Sequence, residues 1–187
     1  MIRAFIAITP PETLQRAFAN TQGALQRLSL PFRWVKPAQI HLTLKFLGDI
    51  TPEAIDPIAQ AMQRAVTTLT PFALSIQGMG CFPSLVRPRV LWMGIHASYD
   101  MLLQLHQRLD TELAALGFAP EERPFRPHLT LARGQQRVNG RHLATVLHAY
   151  HDQHFGDMLV DQMQLMQSQL HRDGAVYTML RSVTLQH

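Results

Sequence analysis

One tetrapeptide, His-Leu-Thr-Leu, occurs twice in this 187-residue chain, at 41–44 and again at 128–131. In an extended strand, side chains alternate between two faces with a period of two. His41 and Thr43 therefore share one face, and Leu42 and Leu44 share the other. His128 and Thr130 repeat the arrangement against Leu129 and Leu131. One H-x-T means little in a chain with 10 histidines; the same four residues twice, each in strand-like context, constrain the fold far more. Each copy buries two leucines and presents an imidazole beside a hydroxyl. Two such copies facing each other make a polar cleft with two titratable bases and two hydroxyl donors.

The chain around them reads as alternating strands and helices. Residues 2–8 form a strand, and Thr9 caps a helix that opens at Pro10-Pro11-Glu12 and runs to about Leu28. Phe32–Val35 is short and extended. The first H-x-T strand covers about 41–47 and stops at Gly48-Asp49. Thr51 caps a second helix, with Pro52 at its first position, reaching about Thr68. Phe72–Ile76 alternates as a strand, Gly78–Pro88 reads as a loop, and Arg89–Ile95 as a buried strand. A helix from Tyr99 to Leu116 is closed by Gly117, and Pro120–Pro127 is a second loop. The second H-x-T strand covers about 126–133 and ends at Gly134. A short helix at 140–149 precedes a strand at 161–170, a turn at Asp173-Gly174 and a return strand at 176–185. This order predicts an α+β fold with antiparallel sheets flanked by helices. The motifs lie 87 residues apart, too far for a solenoid repeat. The spacing suits a duplication inside one domain, residues 1–187, in which each half supplies one strand to a shared site.

Composition narrows the setting. With 47% hydrophobic and 16% charged residues, the chain has ample material for a core. No run of eighteen apolar residues exists for a transmembrane helix, and Arg3 and Pro10-Pro11 interrupt what resembles a signal peptide's apolar stretch. Cys81 is the lone cysteine, so no internal disulfide forms and a cytoplasmic setting is expected. A net charge of +4 and a pI near 9.8 favour an anionic partner such as RNA or a nucleotide. No heptad or long apolar stripe points to an obligate protein partner, and a monomer is expected.

Several further side chains are candidates for substrate contact. Arg126 shares the parity of His128 and Thr130, and Lys45 that of His41 and Thr43. Arg133 has the opposite parity but ends its strand, where alternation can break. For each, the plainer reading is a solvated charge. Trp34, Phe46, Trp92 and Tyr177 are candidates to stack a base, with a place in the core as the plainer reading. Phe46 has the apolar-face parity of Leu42 and Leu44. His148, His151 and His154, with Asp152 and Asp157 nearby, raise a metal site, but the stretch reads as a polar loop without H-E-x-x-H or a cysteine pair. There is no G-x-x-x-x-G-K-[ST] loop for ATP.

The paired motifs, the first continuing as Lys45-Phe46-Leu47-Gly48-Asp49 and the second preceded by Arg123-Pro124-Phe125-Arg126-Pro127, resemble the two-histidine (2H) phosphoesterases. The flanking residues are most similar to the bacterial RNA 2′,3′-cyclic phosphodiesterase (2′-5′ RNA ligase) family. Arg3–Ile8, Arg89–Gly94 and Tyr177–Leu180 extend the resemblance over nearly the whole chain. It implies a bilobal fold with one H-x-T-x strand per lobe facing a central cleft, and neither metal nor cofactor. It implies hydrolysis of a 2′,3′-cyclic phosphate at an RNA end to a 2′-phosphate, with His41 as proton donor to the leaving 3′-oxygen and His128 as proton acceptor. Such chemistry needs an acid and a base on opposite sides of phosphorus, and two imidazoles with ordinary pKa near 6.5 suit it. Thr43 and Thr130 would donate to the phosphoryl oxygens. Joining or cleaving 2′-5′ linkages, a small cyclic nucleotide as substrate, and RNA-end binding without turnover are the alternatives.

Overall fold

Strand-forming stretches rich in Ile, Phe, Leu and Val alternate with helices whose apolar residues recur every three or four positions, and both patterns persist in the computed structural model. It describes residues 1–134, 140–171 and 174–186. Strand β1 (Ile2–Ile8) leads to helix α1 (Glu12–Gln26), β2 (Phe32–Trp34), β3 (Leu42–Ile50) and α2 (Ile55–Val66). The middle of the chain forms β4 (Phe72–Phe82), β5 (Val90–His96), α3 (Tyr99–Ala114) and β6 (His128–Gly134). The last part forms α4 (Gly140–Ala149), β7 (His154–Val160), β8 (Gln162–His171) and β9 (Gly174–Thr184).

Among the described residues these strands make one antiparallel sheet in the order β7-β4-β5-β6-β3-β1-β8-β9, with β2 added beside β6. The two H-x-T strands, β3 and β6, lie side by side at its centre. The middle strands β4–β7 form one half, while β1 and β3 join the C-terminal hairpin β8–β9 in the other. The halves of the chain are therefore interleaved, and neither half-sequence forms a lobe alone. Helices α2 and α3 pack on each other and on β9 and β3, whereas α1 packs on β7 and α4 on β4. In α1 the buried stripe is Leu14, Phe18, Gln22 and Leu25. In α3 it is Leu102, Leu105, His106, Leu109 and Leu113.

Several boundaries differ from the sequence reading. Pro11 takes the cap position of α1, and the Thr9 hydroxyl bonds Gln164 Oε1 at 3.3 Å instead. Thr51 precedes a short 3₁₀ turn at Pro52–Ala54, and its hydroxyl makes no cap bond to that turn's backbone. The stretch Gly78–Phe82, read as loop, continues β4. Gly78 sits at φ +73° where the β4–β5 register shifts, so it marks a bulge rather than a strand end. Gly80 lets the Trp92 ring lie against β4, where a Cβ would collide with it. The polar run after His148 contains β7, an edge strand whose buried residues are only Met158 and Val160. Asp173 lies outside the described residues; its neighbour Gly174 opens β9 at φ +128°.

The parity of Lys45 is overturned. Thr43 pairs with Ala7 and Lys45 with Ile6, so Leu44 is an extra residue bulged out of the ladder. After it the alternation inverts. Lys45 becomes almost fully buried, donating to Ala119 O at 2.8 Å and pairing with Asp110 Oδ1 at 2.6 Å. It ties β3 to α3 and has no place in the cleft. Removing one member of such a pair leaves an uncompensated charge. Asp110→Ala is expected to lower stability by about 3–5 kcal/mol in urea denaturation, whereas Lys45→Met with Asp110→Leu recovers most of it. A double variant as unstable as the single one would contradict this account.

Candidate active site

Strands β3 and β6 pair through Leu42 and Leu129, both fully buried. In an antiparallel ladder, one step to either side sets His41 toward Thr130 and Thr43 toward His128. The leucines point into the core, so the imidazoles and hydroxyls share the opposite face. There they line a cavity of about 600 Å³.

The same bulge occurs in both strands. In β6, Thr130 pairs with Trp92 and Ala132 with Leu91, so Leu131 is the extra residue. Leu131 and Ala132 are both buried, as Leu44 and Lys45 are. The inverted alternation then brings Phe46 and Arg133 into the cavity wall. Arg133 therefore reaches the cleft despite its nominal parity. Phe46 leaves the core face assigned to it and is 65% exposed.

Each imidazole is fixed in the same way. His41 Nδ1 lies 2.8 Å from Gln39 O, and His128 Nδ1 lies 2.7 Å from Arg126 O. A carbonyl only accepts, so each Nδ1 carries the proton and donates it, leaving Nε2 as the free position. Arg126 contributes this carbonyl; its exposed side chain is not part of the cavity wall. His41 packs against Phe5 and Tyr177, with ring centroids 4.8 and 4.9 Å away. His128 packs edge-on to Phe82 at 5.0 Å, with Trp92 behind. Trp92 backs His128 and Trp34 lies tilted beside Phe32, and neither lines the cavity.

Burial pushes both imidazoles below their ordinary 6.5. The carbonyl bonds partly offset this, and the Arg133 guanidinium lowers both further. Burial raises the Tyr177 hydroxyl, against the pull of Arg133 and Arg3, so it stays protonated near neutral pH. Arg3, on β1, escapes the sequence reading; a charged residue inside a strand otherwise made of Ile, Ala and Phe is the signal for it. Among the described residues, no carboxylate lines the cavity, and neither Arg3 nor Arg133 forms an ion pair.

The other histidine cluster disperses. His148 lies in the last turn of α4, His151 bonds Asp152, and His154 on β7 bonds Asp157. No group of three or more potential metal ligands forms among the described residues.

A family model described as LigT-like phosphoesterase matches residues 8–92 and 97–177, one H-x-T strand in each segment. An RNA 2′,3′-cyclic phosphodiesterase from Methanothermobacter thermautotrophicus is 32% identical over 177 residues, covering 95% of both chains. The crystal structure of E. coli LigT complexed with 3′-AMP superposes with a TM-score of 0.79 at 26% identity, covering 100% of this chain and 99% of that one. A crystal structure from Thermus thermophilus gives 0.78 at 29%, covering 98% and 97%. By this match over nearly its whole length, the chain belongs to the LigT-like phosphoesterase family.

Proposed function

We propose that this protein hydrolyses 2′,3′-cyclic phosphates at RNA ends to 2′-phosphates, using His41 and His128 as acid and base. The observation that carries the reading is the pair of imidazoles, each held through Nδ1 by a carbonyl, opening onto one cavity from two adjacent strands. In the reaction, His128 Nε2 takes a proton from water as its oxygen bonds to phosphorus. The bond from phosphorus to the 3′-oxygen breaks, and His41 gives that oxygen its proton. Thr43 and Thr130 donate to the non-bridging oxygens, pre-aimed by their stiff χ1. Arg133 supplies positive charge where the phosphate sits.

The cavity's shape supports this direction. Beyond the motifs, much of its wall comes from the side of β1, β3, β8 and β9, with Phe5, Phe46, Ser168 and Tyr177. A nucleoside fits on that side, which is also the side of His41. Its 3′-oxygen then leaves toward His41, and the attacking water lies toward His128. The relative named RNA 2′,3′-cyclic phosphodiesterase and the neighbour that holds 3′-AMP support a nucleotide substrate. The 187 residues act here as one domain of two pseudo-symmetric lobes, without an obligate protein partner. No helix among the described residues is long and apolar enough to cross a membrane, and the lone Cys81 fits a cytoplasmic setting.

His41→Ala and His128→Ala each lower turnover by roughly 10²–10⁴, and the double variant costs less than the product. With sulfur in place of the 3′-oxygen the leaving group needs little protonation, so His41→Ala recovers while His128→Ala does not. Recovery of the His128 variant alone reverses the roles. Thr43→Val and Thr130→Val fold normally but turn over more slowly; full activity in both would remove the hydroxyls from the mechanism. Activity persists in excess EDTA; loss that one divalent ion restores would replace acid–base chemistry with a metal mechanism.

The pH profile tests the electrostatics. In the free protein the base must be neutral, so the acid limb of kcat/KM lies below pH 6.5. Arg133→Gln removes a positive neighbour, favours both imidazolium forms, and moves both limbs to higher pH as overall activity falls. Limbs that stay put, or move down, would rule out Arg133 as the charge that holds them.

A further inference from the structure

Arg3 and Arg133 stand at different depths of the same cavity. Arg133 lowers the proton affinity of both histidines, whereas Arg3 opposes the effect of burial on Tyr177. The β1–β3 ladder explains the difference. Ala7 faces Thr43, Phe5 faces Phe46, and Arg3 faces Asp49. Arg3 thus begins four residues further out along β1 than the level of Thr43, about 13 Å at strand spacing. Between the two levels lie Phe5 and Phe46, their rings 6.3 Å apart, and the Tyr177 ring, from a residue level with Arg3, reaches in to 5.1 Å from Phe5. On β8 and β9, the cross-strand pairs Ser168–Tyr177 and Leu170–Ala175 continue the same wall. Leu170 is 72% exposed there.

The wall therefore runs from a cationic catalytic end, across aromatic rings, to a second cation, Arg3, which lies opposite Asp49 but makes no ion pair among the described residues. One phosphate held between the histidines cannot also meet Arg3. An aromatic floor between two cations fits a base flanked by two phosphates. On this basis we propose that Arg3 binds the internucleotide phosphate on the 5′ side of the terminal nucleotide. The protein would then prefer oligonucleotide ends to mononucleotide cyclic phosphates. This rests on the reading of the cavity as an RNA-end site and names its second anion subsite.

The test compares a dinucleotide ending in a 2′,3′-cyclic phosphate with a mononucleoside 2′,3′-cyclic phosphate, in the wild type and in Arg3→Gln. The wild type favours the dinucleotide in kcat/KM. Arg3→Gln cuts that preference about tenfold, the scale of one charge-assisted phosphate contact. It also makes the dinucleotide reaction less sensitive to salt, and Arg3→Lys restores part of both. An equal loss on both substrates, or an unchanged ratio, overturns the proposal. Should the wild type hydrolyse neither substrate, the hydrolytic reading fails, and binding still decides the role of Arg3. A dinucleotide and a nucleoside, each carrying a 3′-phosphate, are then titrated calorimetrically. Selective weakening of the dinucleotide by Arg3→Gln supports the subsite, and equal or absent weakening overturns it.

Discussion

The contact between Leu42 and Leu129 sets the geometry of everything above it. It is the register pair through which β3 meets β6. Because the strands are antiparallel and both leucines point inward, each imidazole has the other strand's hydroxyl as its nearest counterpart across the ladder. Slipping the register by one residue would turn one of the two motifs over, its histidine and threonine into the core and its paired leucine into the cleft. The leucines are fully buried in a continuous core, so such a slip would expose a large apolar side chain and bury an imidazole. The packing of the leucines is what keeps the imidazoles in the cleft.

Much of this is legible from the tetrapeptide alone, and the failures share one cause. Alternation holds for as long as the ladder holds. His41, Thr43, His128 and Thr130 precede the bulges, and all four line the cavity. Lys45, Phe46 and Arg133 follow the bulges, and their faces are the reverse of those a regular strand gives them. Neither bulge contains a glycine or proline to mark it; Leu44 and Leu131 are the extra residues, and both look like ordinary strand leucines. In β4 a bulge does carry a glycine, and there Gly78 reads as the start of a loop. Strand β7 escapes because an edge strand satisfies only one side of its ladder and needs few apolar residues. Long-range pairing decides each of these cases, and the local sequence does not carry it.

The environment of the histidines sets a condition on the chemistry. Two buried imidazoles near one guanidinium are both poorer proton holders than free histidine. With the Nδ1 protons engaged by carbonyls, both Nε2 atoms of the free protein are in the base form near neutral pH. An acid–base pair needs one of them charged. An anionic phosphate between them supplies the missing stabilisation, since a nearby negative charge favours imidazolium. In the proposed mechanism, the bound substrate therefore takes part in creating the acid that protonates its own leaving group.

Which imidazole takes that proton is not written in either motif, because His41 and His128 have equivalent anchors and equivalent bulges downstream. The symmetry is broken further along the strands. At equivalent positions one bulge delivers Phe46 and the other Arg133, so one side offers a ring and the other a charge. In the proposed reaction, a nucleoside settles on the ring side, among Phe5, Phe46 and Tyr177. Its phosphate turns toward Arg133, and the ribose oxygens stay toward His41. The oxygen that must leave is a ribose oxygen, so the imidazole on the nucleoside's side is the one placed to protonate it. In the proposed reaction, the acid and the base are thus distinguished by where the rest of the substrate lies, set by the residues five beyond each histidine, rather than by any difference between the histidines themselves.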